Sequence, residues 1–181
     1  MKKIIILLLC IVSVLACKTP EARRPISVKT GSFIDQSIAL NKKLNASQHK
    51  QIQDIIALNP EVNYIASENG FWYYYNTKIE ENTITPAFGD IVNFNYNVSN
   101  INNELIYSEE DLKPQDYAID QEELFSGLRE GLKLMKAGET ITFLFPSQKA
   151  YGFYGDNNQI EGNSSIICKV TLNTITQKEV N

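Results

Sequence analysis

Gly127-Leu128-Arg129-Glu130-Gly131-Leu132, then Met135, Gly138-Glu139, a run from Thr140 to Phe145, Pro146 and Ala150-Tyr151-Gly152 is the stretch on which the fold turns. Leu124, Leu128, Leu132 and Met135 fall at helical spacing on one stripe, with Phe125 beside it. Asp120, with Glu123 three residues later, reads as a capping box opening this helix, and Lys136-Ala137-Gly138 as its close. Gly127 and Gly131 each cost a helix about 1 kcal/mol relative to alanine. Two of them four residues apart predict that the helix backbone lies close against a sheet. Ile141 to Phe145 then reads as a strand, and Ser165 to Ile175 as a longer one.

Working outward, Val92, Phe94, Tyr96 and Val98 alternate with Asn93, Asn95 and Asn97. That period of two marks a strand buried on one face and wet on the other. Pro86 to Asp90 is a turn signal before it, and Asn100 to Asn103 a polar turn after it. Leu105 to Ser108 resumes a strand, Glu109 to Gln115 reads as an acidic loop, and Tyr117 to Ile119 as another short strand. Phe71-Trp72-Tyr73-Tyr74-Tyr75 has high strand propensity. Alternate residues of a strand face opposite ways, so at most three of these aromatics share a surface. Ordinary sheet packing is therefore preferred to a stacking platform.

Upstream, Phe33 to Leu58 reads as helix in up to two pieces, with Ile34 and Ile38 on one face of the first. Ser47 is the expected N-cap of the second, which carries Ile52, Ile55 and Ile56, and Asn59-Pro60 ends it. The apolar stripe is narrow and needs a partner surface. Docking on its own domain is preferred, with self-association or a partner contact through Phe33–Leu58 left open.

The N-terminus carries a different signal. Met1-Lys2-Lys3 is followed by an apolar run, Ile4 to Leu15, too short to span a bilayer as a mature helix. It ends in Val14-Leu15-Ala16-Cys17, which resembles the lipobox of bacterial lipoproteins. The expected organisation is a lipoprotein signal peptide over 1–16 and a tether over 17–32 with the lipid on Cys17. A helical leader over 33–60 and a folded domain over 67–177 follow. More than one acyl chain on Cys17 would anchor the protein stably. Lys18 follows Cys17 without the aspartate that resembles an inner-membrane retention signal. The expected location is therefore the cell envelope, on the outer membrane facing the periplasm.

Composition narrows the chemistry. Of three cysteines, Cys10 leaves with the signal and Cys17 becomes the anchor, so Cys168 has no disulfide partner. His49 is the single histidine, which leaves no residue set for a zinc site or a histidine-based triad. It reads as a solvated surface residue. The net charge of −4, without a basic block, gives no footprint for nucleic acid.

In order and spacing, the Gly127 to Gly152 stretch resembles the centre of the FKBP-type peptidyl-prolyl cis-trans isomerases. The resemblance implies an α+β fold: a curved antiparallel sheet wrapped around one short helix, here behind a helical leader. It implies rotation about X-Pro amides without a cofactor or metal, and proline-containing client proteins as partners. Gly89-Asp90 matches the opening of the family's first long strand. Tyr151 and Tyr96 fall on the catalytic tyrosines. Ile106, Tyr107, Gln115, Leu124, Phe125, Leu128, Ile160 and Cys168 fall on the substrate-binding positions. Three of these depart from the family's pattern. Tyr107 stands where an aspartate is usual, Leu128 where a tryptophan forms the pocket floor, and Cys168 where a phenylalanine is found. Two readings follow, an active isomerase and a non-catalytic proline-peptide-binding or chaperone module on the same fold. The whole chain, with its lipobox, leader and single domain, is similar to the gliding-motility-associated isomerase lipoproteins.

Overall fold

The computed structural model describes residues 30–81 and 84–179. The expected signal peptide over 1–16, Cys17 and most of the expected tether lie outside the described residues. By its internal contacts the chain divides between Ser37 and Ile38. The first unit is described over 30–37, the opening turns of helix α1 (Thr30–Leu58), where Phe33 and Ile34 are exposed.

The second unit holds the rest of α1 and a mixed arrangement of strands and short helices. In chain order these are β1 (Ile65–Ala66), β2 (Trp72–Thr77), β3 (Ile91–Asn100), β4 (Leu105–Tyr107), α2 (Glu109–Leu112) and β5 (Gln115–Ala118). They are followed by α3 (Ser126–Leu132), β6 (Thr140–Phe145), a 3-10 turn (Ser147–Lys149) and β7 (Ile166–Thr176). The strands form one antiparallel sheet in the order β1-β2-β6-β7-β3-β4, with β5 also paired to β3.

Alternation along each strand sorts the side chains onto two faces. Val98 stands opposite Cys168, Tyr96 opposite Val170 and Phe94 opposite Leu172, while Phe143 flanks Cys168 from β6. With Phe71, Phe145 and Ile166, these residues form the main core, and Leu128, Leu132 and Met135 enter it from α3 and the turn beyond. Full burial of each such side chain contributes about 1.5–3 kcal/mol. The aromatic run divides as alternation requires. Phe71, Tyr73 and Tyr75 belong to this core, and Trp72 and Tyr74 to a second cluster on the other face. There Ile52 of α1 is buried against Leu144 and Ile167, with Ile55 and Ile56 beside it. This half of the leader is docked on the domain.

The two glycines of α3 do what their spacing suggested. A Cβ on Gly127 would lie 2.5 Å from a Phe145 ring carbon and 2.6 Å from the Lys149 carbonyl oxygen. On Gly131 it would lie 2.9 Å from the Phe143 ring.

Several local expectations are corrected. The leader is one unbroken helix, and Ser47 is interior to it. No glycine or proline interrupts residues 41–58, and Gln48 and Ile52, one turn apart, both face the domain. Asp120 does not cap α3. It takes a left-handed φ of 59°, and its carboxylate pairs with Lys133 at 2.8 Å and Arg129 at 3.4 Å. Phe125 precedes α3 with no side-chain cap. The capping box is instead at Ser108 and Asp111, where it opens α2 inside the expected acidic loop. The helix closes at Leu132, and Gly138 occupies a separate turn whose N–H donates to the Leu172 carbonyl at 2.7 Å. His49 is half-buried, edge-on to the Trp72 ring at 4.9 Å, because the docked helix covers it. Asn59 does end α1, its side-chain amide donating to the Ile55 carbonyl at 2.7 Å.

Candidate active site

β3, β7 and α3 fix the deepest layer of the site. Tyr96 from β3, Leu128 from α3, Cys168 from β7 and Ile160 from the loop before β7 are all buried in the main core. Ile106 and Tyr107 from β4, Leu124 and Phe125 from the extended entry to α3, and Tyr151 are half-buried against it. These residues, scattered from 96 to 168 in sequence, lie in or against one cluster. Leu124 lies outside α3 but still packs on the cluster. Gln115 is turned to its own loop, its amide donating to the carbonyls of Leu112 at 2.5 Å and Lys113 at 3.2 Å.

Aromatic rings pack in and against this layer. Phe125 sits 5.0 Å from the Tyr151 ring and 5.5 Å from Phe145, and Phe94 lies 5.5 Å from Tyr96. Burial, with Cys168 and Tyr107 nearby, pushes the Tyr96 hydroxyl up to about 12. Burial pushes the Tyr151 hydroxyl higher still, assisted by Tyr96, Cys168, Asp156 and Tyr107. Both phenols stay protonated in neutral solution and carry an O–H donor. Burial also pushes the Cys168 thiol up, so it behaves as an apolar filler and not as a nucleophile.

Tyr107 is the departure whose consequence the structure makes visible. Its hydroxyl donates to Asp156 at 2.5 Å and accepts from the Asn158 amide at 2.8 Å and the Gln159 N–H at 3.3 Å. The other Asp156 oxygen accepts the N–H groups of Asn158 at 2.9 Å and Ile160 at 2.8 Å. Partial burial works to raise the Asp156 carboxyl. The Tyr107 hydroxyl and these amides outweigh it and hold the group below the usual carboxylate range. The Asp156 bond is the main reason the Tyr107 phenol is itself pushed up. A carboxylate thus reaches Tyr107 from the opposite loop, between Tyr151 and Ile160. Asp156 is not legible from sequence, since Gly155-Asp156-Asn157 looks like an ordinary turn and carries no sign of its distant partner. Beside the site, Ile106 and Ile160 also line a cleft of about 280 Å³ with Asn100, Gln159, Glu161 and Ser164. Among the described residues, no three His, Cys, Asp or Glu side chains are gathered to hold a metal ion.

A helix is packed across one face of an antiparallel sheet, with two tyrosines over an apolar floor, the arrangement of an α+β domain built around one short helix. Residues 82–173 match the model of the FKBP-type peptidyl-prolyl cis-trans isomerases, and the chain belongs to that family of enzymes. Among solved structures it is similar to a peptidyl-prolyl cis-trans isomerase from Pseudomonas syringae pv. tomato. The two share 18% identity with a TM-score of 0.61, over 75% of this chain and 96% of that one. It is also similar to FkpA from Escherichia coli, at 21% identity and a TM-score of 0.60, over 97% of this chain and 82% of that one. At these identities both likenesses support the α+β fold alone. No curated protein sequence matches the chain.

Proposed function

We propose that this isomerase acts on X-Pro bonds of envelope or secreted proteins, with Tyr151 as the hydrogen-bond donor to the substrate carbonyl. An X-Pro bond rotates slowly because the twisted amide loses conjugation, although its cis and trans states differ little in energy. The twisted C–N unit is less polar than the planar one, so an apolar site that strips water from the imide favours the transition state. Leu128, Phe125, Leu124, Ile160 and Tyr96 supply that surface. A single donor then holds the carbonyl as it turns. Lowering the barrier by about 5–6 kcal/mol accelerates rotation roughly 10⁴-fold, which binding interactions alone can supply. The observation that carries this reading is the placement of Tyr151: half-buried against the cluster that holds Leu124, Phe125, Leu128 and Ile160, with its ring 5.0 Å from Phe125.

The lipobox-like Val14-Leu15-Ala16-Cys17 supports a tether on Cys17. No helix among the described residues is long and apolar enough to cross a membrane. On the lipobox-like motif we propose a lipid-anchored protein of the outer membrane facing the periplasm, with proline-containing clients and no nucleic-acid partner. The resemblance to gliding-motility-associated lipoproteins supports clients in a motility machinery. The exposed Phe33, Ile34 and Ile38 leave self-association or a partner contact to the first half of the leader.

The test is proline-limited refolding of an unrelated protein by the full chain, together with membrane fractionation of Cys17→Ala. Faster refolding and release of Cys17→Ala from the membrane fraction are expected. Unchanged refolding would favour the proline-peptide-binding module, for which the substituted Tyr107 and Cys168 positions are the supporting observation.

A further inference from the structure

Gln48 lies in the middle of α1, on the face turned to the domain, and is 5% exposed. A buried primary amide is costly unless its polar atoms are bonded. This one is bonded on both sides. Its Oε1 accepts from the Ser147 N–H at 3.0 Å and the Ser147 hydroxyl at 2.9 Å, and its Nε2 donates to the Asn163 carbonyl at 2.6 Å. Ser147 and Asn163 are the two ends of the loop that carries Tyr151. Both are also bonded to the residue after the tyrosine. The Gly152 N–H donates to the Ser147 carbonyl at 2.8 Å, and the Gly152 carbonyl accepts the Asn163 N–H at 2.7 Å. One amide of the leader thus closes a ring through Ser147, Gly152 and Asn163. Asn45, one turn earlier on α1, adds an exposed bond to Gln148 at 2.9 Å.

We propose that Gln48 is a positioning residue of the isomerase: the leader helix sets Tyr151 by clamping both ends of its loop. The inference rests on the role given to Tyr151 above. α1 packs on the sheet face opposite the candidate site, so its influence on the reaction runs through this clamp and not through contact with a substrate. A donor that must meet a turning carbonyl tolerates little displacement, and a misplacement of about 1 Å can cost roughly 100-fold in rate.

The test measures kcat and KM on a short X-Pro peptide with the full chain, with amide exchange followed at Gly152 and Asn163. Gln48→Leu removes all three bonds. It is expected to lower kcat by about 10-fold or more while KM stays within about twofold, with faster exchange at Gly152. Gln48→Glu keeps the acceptor for Ser147 but opposes the Asn163 carbonyl with a second acceptor, so an intermediate loss is expected. Gln48→Leu combined with Tyr151→Phe should be no slower than Tyr151→Phe alone, because the first acts through the second. Wild-type kcat in the folded Gln48 variants, or losses that multiply in the double variant, would overturn the proposal. Should Gln48→Leu fail to fold, Gln48→Glu is read by the same criteria. Tyr151→Phe at the wild-type kcat overturns the role of the tyrosine instead. The clamp is then read from exchange alone: faster exchange at Gly152 in Gln48→Glu supports it, and unchanged exchange overturns it.

Discussion

Replacing Gly127 by alanine sets helix propensity against packing at one position. Gly127 is the second residue of α3, where alanine gains at most about 1 kcal/mol of propensity. Against this, the new Cβ would stand 2.5 Å from a Phe145 ring carbon and 2.6 Å from the Lys149 carbonyl oxygen. Ordinary carbon contacts begin near 3.5 Å, so the overlap is about 1 Å on two sides at once. The ring can shift, but the carbonyl belongs to the backbone that leads directly into Ala150 and Tyr151. Overpacking of this kind costs about 1–3 kcal/mol and occasionally more, so a net loss of about 2 kcal/mol is expected. For a chain of this length that corresponds to a fall in melting temperature of roughly 4–8 °C. Gly131→Ala is the internal control. Its Cβ meets only the edge of the Phe143 side chain, at 2.9 Å and 3.0 Å. Propensity and overlap nearly cancel there, and a change within about 1 kcal/mol is expected. Urea unfolding of both variants gives the comparison, and the isomerase rate should fall further for Gly127→Ala than for Gly131→Ala. A Gly127→Ala protein as stable as wild type, or a Gly131→Ala protein that loses more, would refute the close-approach argument.

Three further outcomes follow from the same geometry. Tyr107→Phe and Asp156→Asn should each cost about 1 kcal/mol, since the bond they remove is charge-assisted but lies in a partly exposed loop. Because the folded Asp156 carboxyl sits below its ordinary value, its contribution is present above about pH 4 and is lost as pH falls through the folded value. Both variants should therefore flatten the acid limb of a urea-midpoint profile, and an unchanged limb would remove Asp156 from the balance. At the other extreme, the raised Tyr96 and Tyr151 phenols keep their protons where an unfolded chain has lost them. Stability should fall as pH rises above about 10, while the isomerase rate stays flat from neutrality to that point. Loss of rate between pH 8 and 9 would count against a protonated phenol as donor. Glu139, 1% exposed, accepts the N–H groups of Ile79 at 3.0 Å and Lys136 at 2.8 Å. Glu139→Ala strands both donors and should cost about 3 kcal/mol in urea unfolding; a cost under about 1 kcal/mol would mean that water replaces the carboxylate.

Which features were legible from sequence follows from the range of the interactions involved. The alternation of Val92, Phe94, Tyr96 and Val98 and the paired glycines at 127 and 131 are periodic, local patterns, and each gave its element and its buried face. The ends of helices were read less well. The Asp120-Glu123 spacing fits a capping box, yet Asp120 is drawn away by Arg129 of α3 and Lys133 just beyond its end. Ser108-Asp111 has the equivalent spacing, and that box does form. Ser47 looks like an N-cap only while the leader is considered alone. Docking of Gln48 and Ile52 holds the helix straight through it. Gln48 and Asp156 themselves carry no local signature. Gln48 meets Ser147 across 99 positions and Asp156 meets Tyr107 across 49, and neither pairing leaves a trace in spacing or hydropathy. The apolar cluster around Leu128 was readable residue by residue. The polar bonds that hold its loop in place were not.

The role of Tyr151 is tested most directly by cis-to-trans isomerisation of short X-Pro peptides, measured for the full chain and for Tyr151→Phe against the uncatalysed rate. Strong acceleration by the wild-type chain is expected. In Tyr151→Phe, kcat should fall about 10-fold or more with unfolding midpoint and KM little changed, as for loss of one hydrogen bond made in the transition state. Equal rates for the two proteins would contradict a donor role for Tyr151.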